Sequence, residues 1–243
     1  MKWAYLLLRE GPHYRRQAFR NGLERHGYSV NFEAPTKPKP DDVLVIWNRY
    51  AHFHKTACRF EAVGARVLVT ENAYLGNEFC GDRWYAIARN HHNGAGWWPD
   101  GGPERWDRLN VELKPWRTRG HEVVVLPQRG IGPEGIAMPR GWKARGRVRR
   151  HPGTGPCVPL ERDLAQASAV VTWGSGAALK ALLYGIPVYY DFPKWIGAAA
   201  SARYREPLPA PFLGDRLPMF RRLAWAQWRL SEIEDGTAMA ALL

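Results

Sequence analysis

Several short runs in this chain are apolar at nearly every position rather than at alternate ones. Residues 42–47 read Asp-Val-Leu-Val-Ile-Trp, residues 122–127 Glu-Val-Val-Val-Leu-Pro and residues 169–173 Ala-Val-Val-Thr-Trp. A strand with one solvated face alternates. A strand without alternation has both faces covered, which is the situation of a parallel sheet between helices. Around the first of these runs lie predicted strands at 3–8, 28–32 and 65–70. They are separated by an amphipathic helix over 15–26, closed by Gly27, a proline-rich loop at 35–40 and a second helix over 53–63. That β-α-β-α-β rhythm requires right-handed crossovers between parallel strands. A second run of the same kind follows: a helix at 160–166, the strand 169–173, the turn Gly174-Ser175-Gly176, a helix at 177–184 stopped by Gly185, and a strand at 186–190. Residues 93–119 are rich in Gly, Trp, Pro and Arg with little periodicity, and the join between two lobes is placed there. Leu223, Trp225, Trp228 and Leu230 predict one long helix over 217–233 with an apolar face. The expected division is a lobe at 1–119, a second at 120–216 and a closing segment at 217–243.

The chain of 243 residues is long enough for two small cores. Its 45% hydrophobic and 24% charged content excludes disorder as the default. No apolar run approaches the ~20 residues of a membrane-spanning helix. The apolar start of the chain meets Arg9 and Glu10 at once, which reads as a first buried strand and a cytoplasmic protein rather than a signal peptide. Cys58, Cys80 and Cys157 are odd in number and widely spaced, so reduced thiols are expected and no metal site. The net charge of +12 favours a polyanionic partner without choosing among nucleic acid, an anionic membrane and an acidic glycan. Several of the 12 tryptophans adjoin cations, as in Arg105-Trp106, Trp116-Arg117 and Trp142-Lys143. Flat rings beside cations suit stacking on sugars or bases, and filling of the core is the competing explanation for each.

Three segments carry candidate chemistry. Ligands of open parallel sheets bind outside the carboxyl ends of strands. Gly174, Ser175, Gly176 and Ala177 join a strand to a helix there, where backbone N–H groups and the helix dipole favour a phosphate. A packing role for the glycines is the alternative, and the spacing is not that of a P-loop. Arg150, His151 and Pro152 close the basic stretch of Lys143, Arg145, Arg147 and Arg149, and place an imidazole at a strand end. Gln128, Arg129 and Gly130 follow another strand, with Arg129 suited to two-pronged phosphate binding.

These segments, "RRHPG" followed by "AVVTWGSGAALKALLYGIPVYY", resemble the donor-binding half of GT-B glycosyltransferases, of the capsular-polysaccharide type and of compact phage-encoded, DNA-modifying relatives. The resemblance covers about residues 120–192. It implies an α/β fold of two Rossmann-like lobes with parallel sheets and a C-terminal helix packing back on the N-terminal lobe. It also implies a nucleotide-sugar donor, with a UDP-sugar such as UDP-glucose favoured, a hexosyl-type transfer and no required metal or other cofactor. Lys180 stands where such families often carry a ribose-binding Glu. The base that takes the acceptor proton is sought in the first lobe. Glu71, His91 and His92 are the candidates there, with His13 a weaker one and Asp107 a further one.

Two acceptors compete. A hydroxymethylated pyrimidine (5-hydroxymethylcytosine) in double-stranded DNA fits the charge, with His13, Asn93, Trp97, Arg105, Trp116 and Arg117 as its contacts, and is favoured. A cell-surface polysaccharide or lipid-linked glycan is the alternative, without membrane insertion. A nucleotide-sugar epimerase or a non-catalytic DNA-binding module is a third class. A monomer is expected.

Overall fold

In the computed structural model of the protein, residues 1–76, 78–151 and 158–243 are described. The expected Pro152 contact and Cys157 lie outside them. In chain order the elements begin β1 (Lys2–Leu7), α1 (Arg16–Arg25), β2 (Tyr28–Asn31), β3 (Val43–Trp47), α2 (Ala51–Ala62), β4 (Arg66–Asn72), β5 (Glu78–Phe79) and β6 (Asp82–Arg89). They continue with α3 (Glu104–Asp107), β7 (Glu122–Leu126), β8 (Arg147–Val148), α4 (Leu160–Asp163), β9 (Ala167–Thr172), α5 (Ala177–Leu183), β10 (Val188–Tyr190), β11 (Ala202–Arg203) and α6 (Leu217–Ala224). The chain closes with β12 (Gln227–Arg229), α7 (Leu230–Glu234) and α8 (Thr237–Leu242). Among the described residues no helix is long and apolar enough to cross a membrane.

The chain forms two compact units. The first comprises Met1–His92, Gly96–Gly101 and Ala224–Leu243, and the second Asn93–Ala95 and Gly102–Leu223. The boundary expected at residue 119 therefore falls earlier, and residues 102–119 belong with the second unit.

The sheet of the first unit has the order β12-β6-β4-β3-β1-β2, with β5 hairpinned onto β6. The pairs β1–β2, β1–β3 and β3–β4 are parallel, as the apolar runs demand. Val43, Leu44, Val45 and Ile46 are fully buried, because α1 and the C-terminal helices cover one face while α2 covers the other. One strand, β6, runs against the expected parallel sheet. β6 runs antiparallel to β4, and β12 antiparallel to β6.

The long helix expected over 217–233 does not form. Residues 227–229 are extended, with Trp228 opposite Tyr85 and Arg229 opposite Trp84. The reason is burial on both sides of the segment. In the sheet edge Trp228 is 1% exposed and Gln227 fully buried, so both faces are covered, whereas one helical stripe would leave one of them in solvent. The helix breaks into α6 before the strand and α7 after it, and α7 and α8 pack on α1.

In the second unit all five strands, β11-β10-β9-β7-β8, are parallel. In sequence terms this is a 2-1-3-4-5 arrangement, whose strand order reverses between β7 and β9. Leu126, Val170, Val171 and Thr172 lie at its centre, at most 2% exposed. Gly185 stops α5 as expected. It takes φ +77°, and a Cβ there would lie 2.0 Å from the carbonyl oxygen of Pro115.

Candidate functional site

Reversal of strand order opens a crevice at the carboxyl edge of the second sheet, and the three chemistry-bearing segments all leave the sheet at that edge. Gln128 and Arg129 follow β7, Arg150 and His151 follow β8, and Gly174 to Ala177 follow β9. A cavity of about 500 Å³ lies here, within the range of small-molecule sites. Gln128, Arg129, Arg150 and His151 line it together, and so do Met138, Trp142 and Lys143 from the loop between β7 and β8.

The charges divide cleanly. Arg147 reaches Glu122 at 2.6 Å and Asp163 at 3.0 Å, and Arg149 pairs with Asp163 and donates to the Val158 carbonyl at 3.0 Å. These two guanidiniums are neutralised within the fold. Among the described residues Arg129, Lys143 and Arg150 have no carboxylate partner, and they are the ones that line the cavity. Burial lowers the His151 pKa, and the positive charges of Arg129 and Arg149 lower it further. The imidazole is therefore neutral near pH 7 and sits in a positive potential. Such a lining attracts an anion and gives it charge-assisted donors.

The glycine turn differs from its expected role as an open phosphate cradle. Thr172 donates its hydroxyl to the Leu126 carbonyl at 2.8 Å and accepts the N–H of Gly174 at 3.0 Å and that of Ser175 at 2.8 Å. The Ala177 N–H goes to Ser175 Oγ at 3.3 Å. The turn thus satisfies these donors itself. Gly174, at φ +154°, lies against Phe192, where an added Cβ would come within 3.1 Å of the Phe192 Cβ and Cδ1. A side chain at that position would crowd Phe192 in a backbone conformation that favours glycine. Lys180 is half-buried, and burial pushes its pKa down.

Of the acceptor-side residues, several are held by the fold. Arg117 donates to the carbonyls of Leu164, Ala165 and Ala167 at 2.6, 3.2 and 3.1 Å. Trp116 donates to the Gly214 carbonyl at 3.0 Å and carries the Arg216 guanidinium 4.2 Å from its ring centre. Arg117 and Trp116, both expected as acceptor contacts, are thus held by contacts within the fold. Asn93 is buried, at φ +58°, and Arg105 is half-buried at the start of α3. Trp97 is 47% exposed, with the Arg89 guanidinium 4.1 Å from its ring centre. His13, in the loop after β1, meets Tyr14 and Trp47 edge-on at 4.9 and 5.0 Å, and its pKa is lowered by burial and by Arg83.

Glu71, near the end of β4, accepts the Tyr74 hydroxyl at 2.9 Å. His92 is 3% exposed, and its Nδ1 accepts the backbone N–H of Arg49 at 3.1 Å. That bond takes one of the two nitrogens of the buried ring. His91 is pushed down to about 4 by burial and by Arg49. Sequence reasoning missed Arg49, which is 2% exposed and gathers Glu61, His54, Cys58 and the Asn90 carbonyl around its guanidinium. It also missed Asp191, just beyond β10, which accepts the Trp142 indole N–H at 2.8 Å. Among the described residues no group of three or more His, Cys, Asp and Glu side chains is placed to hold a metal ion.

No protein-family model matches the chain, and no curated protein matches it in sequence. Among solved structures the fold is similar to that of KpsC of Thermosulfurimonas dismutans, a β-Kdo 2,7-transferase. The identity is 13% and the TM-score 0.54, over 98% of this chain and 99% of that chain. At that identity the likeness is one of architecture. The chain has the mixed α/β, Rossmann-like fold that this transferase also has.

Proposed function

We propose that this chain is a glycosyltransferase that holds a nucleotide-sugar donor at the carboxyl edge of the second unit's sheet. The observation that carries the reading is the cavity itself. Gln128, Arg129, Arg150 and His151 come from two different strand ends and meet in one space, with three cations that no carboxylate among the described residues offsets. A departing nucleotide leaves as an anion, and preorganised cations stabilise the charge that develops as the glycosidic bond breaks. These side chains supply that charge without a metal ion. The shared architecture with a sugar transferase supports the same reading.

For the acceptor, a surface polysaccharide or lipid-linked glycan is favoured. Arg117 and Trp116, two residues expected to grip DNA, are engaged with carbonyls and with Arg216. A hydroxymethylated pyrimidine in DNA is the second reading, and the net charge of +12 supports it.

One experiment separates them. The purified chain is incubated with a panel of nucleotide sugars and either acidic oligosaccharides or 5-hydroxymethylcytosine DNA, and the products are weighed by mass spectrometry. A sugar mass on the oligosaccharide supports the first acceptor, and one on the digested nucleoside supports the second. No transfer to either acceptor, no hydrolysis of any donor and no nucleotide binding would together overturn the transferase reading.

A further inference from the structure

The chain between β7 and β8, residues 127–146, forms one long loop over the cavity of the second unit. Met138, Trp142, Lys143 and Ala144 of this loop line the cavity. Backbone bonds within it are local: Ile136 and Ala137 donate to the Pro133 carbonyl at 3.1 and 3.0 Å, and Trp142 to that of Pro139 at 3.0 Å. Side-chain bonds fasten it to the rest of the unit. Gln128 Oε1 accepts the Met138 N–H at 2.8 Å, and the Trp173 indole N–H donates to the Ile136 carbonyl at 3.1 Å. The Trp142 indole N–H donates to Asp191 at 2.8 Å, and the Arg145 N–H to the Tyr204 hydroxyl at 3.4 Å. Gly130 at φ +68° and Gly146 at φ +138° stand near its two ends, in backbone conformations that suit glycine. A loop fastened at such points opens at far lower cost than the sheet beneath it.

The charge on the loop works against its seating. The loop carries Lys143 toward Arg129 and Arg150, and among the described residues none of the three has a carboxylate partner. All three are exposed, as are Arg140 and Arg145, and Glu134 is the one acid between residues 127 and 150. His151, in the same lining, registers the field: after burial, Arg129 and Arg149 lower its pKa. Like charges gathered around a space repel, and an anion placed between them turns the repulsion into attraction. A ligand shifts an equilibrium only by binding one state better than the other. Lys143 supplies that difference, since seating of the loop brings it to the cavity that Arg129 and Arg150 line.

We propose that residues 130–145 form a strap whose seating is set by an anion: repulsion among Arg129, Lys143 and Arg150 releases it from its fastenings, and an anion bound among these cations draws it down over the cavity. The assignment rests on the donor reading above and adds a closing step to it. The strap shuts on a charged donor and lifts once the anion has left.

Amide hydrogen exchange reads the seating, with inorganic pyrophosphate as the anion. Arg145 and Tyr204 stand outside the cavity lining, so the Arg145 amide reports the loop rather than contact with the ligand. Saturating pyrophosphate should slow exchange at Met138 and Arg145 by about tenfold or more, the differential affinity that one charge-assisted hydrogen bond from Lys143 supplies. Val124 and Val125 in β7 should be unchanged. Lys143→Gln removes the repulsion together with the anion contact. Without pyrophosphate its loop amides should exchange at most about a third as fast as those of wild type, the scale of an interaction between exposed charges, and pyrophosphate should slow them less. Calorimetry establishes whether the anion binds. Unchanged exchange with pyrophosphate bound, or equal rates in Lys143→Gln and wild type, would overturn the strap and leave the donor reading standing. Absence of binding by both pyrophosphate and UDP would remove both.

Discussion

Arg49 and Glu61 form a two-pronged ion pair, with Nη1 to Oε1 at 2.5 Å and Nη2 to Oε2 at 2.7 Å. The arginine side chain is 3% exposed and the glutamate 30%. The same guanidinium donates to the Asn90 carbonyl at 2.6 Å, so it ties α2 to the segment after β6. Removing one member of a buried pair leaves the other uncompensated. Arg49→Met should lower the stability of the first unit by about 3 kcal/mol, read by denaturant unfolding. Arg49→Lys should recover only part of that, because an ammonium cannot form the two-pronged contact. A loss below about 0.5 kcal/mol, the level of an exposed pair, would contradict the hub assigned to Arg49.

His91 makes stability fall with acid. Its pKa drops from 6.5 unfolded to about 4 folded, mainly through burial and then through Arg49. Between those values the unfolded chain binds the extra proton, so stability rises with pH across this window and is lost as pH falls from about 6.5 to 4. Allowing for the partial exposure of the ring, the effect is about 1–3 kcal/mol. His91→Gln should flatten the stability profile between pH 6.5 and 4 relative to wild type. Parallel profiles for the two proteins would exclude His91 as the source.

The unequal treatment of neighbouring arginines gives a binding prediction with its own control. Arg150→Ala and Arg129→Ala each remove a cation that lines the cavity and has no carboxylate partner among the described residues. Each should weaken a nucleoside diphosphate by about 10–100-fold, the scale of a charge-assisted hydrogen bond. Arg147→Ala removes a guanidinium already paired with Glu122 and Asp163 and should change the affinity less than about twofold. Calorimetric titration distinguishes these. Equal losses in all three would mean a general charge effect rather than a site.

Because Arg129, Lys143 and Arg150 bring the positive charge to the cavity, donor turnover should be unchanged by EDTA. Addition of Mg²⁺ should not raise it beyond the effect of equal ionic strength. A strict requirement for a divalent ion in the initial-rate assay would show that these side chains do not suffice.

The parts of the fold that could be read in advance are those whose cause is local. Apolar runs at 43–46 and 124–126 announce strands covered on both faces, and every residue of them is buried, in β3 and β7. Trp84, Tyr85, Ala86, Ile87 and Ala88 form a run of the same kind that went unread, and all five are buried in β6. β12 could not be read that way. It has three residues, and the spacing of Leu223, Trp225, Trp228 and Leu230 fits a helix until its partner strand is known. In the site, Gln128, Arg129, Arg150 and His151 were legible because each follows a strand, where such sheets bind ligands. Asp191 acquires its role only through contact with a tryptophan from another loop. Arg49 carries no local mark of burial, since its partners lie on a helix and beyond β6. The glycines at 174–176 signalled a tight turn correctly, but the sequence cannot say whether the N–H groups of such a turn face a ligand or the hydroxyl of Thr172.

β12 joins the first sheet from the far end of the chain, after the whole second unit has intervened. During synthesis on the ribosome, β6 therefore emerges with one edge unpaired and keeps it so while well over a hundred further residues are translated. The second unit, with all its strands between residues 122 and 203, has every sheet partner available before the first does. The earlier-made half of the protein is thus the later one to be completed. A nascent chain halted before Gln227 would expose the buried aromatic residues Trp84 and Tyr85 to chaperones or to neighbouring chains.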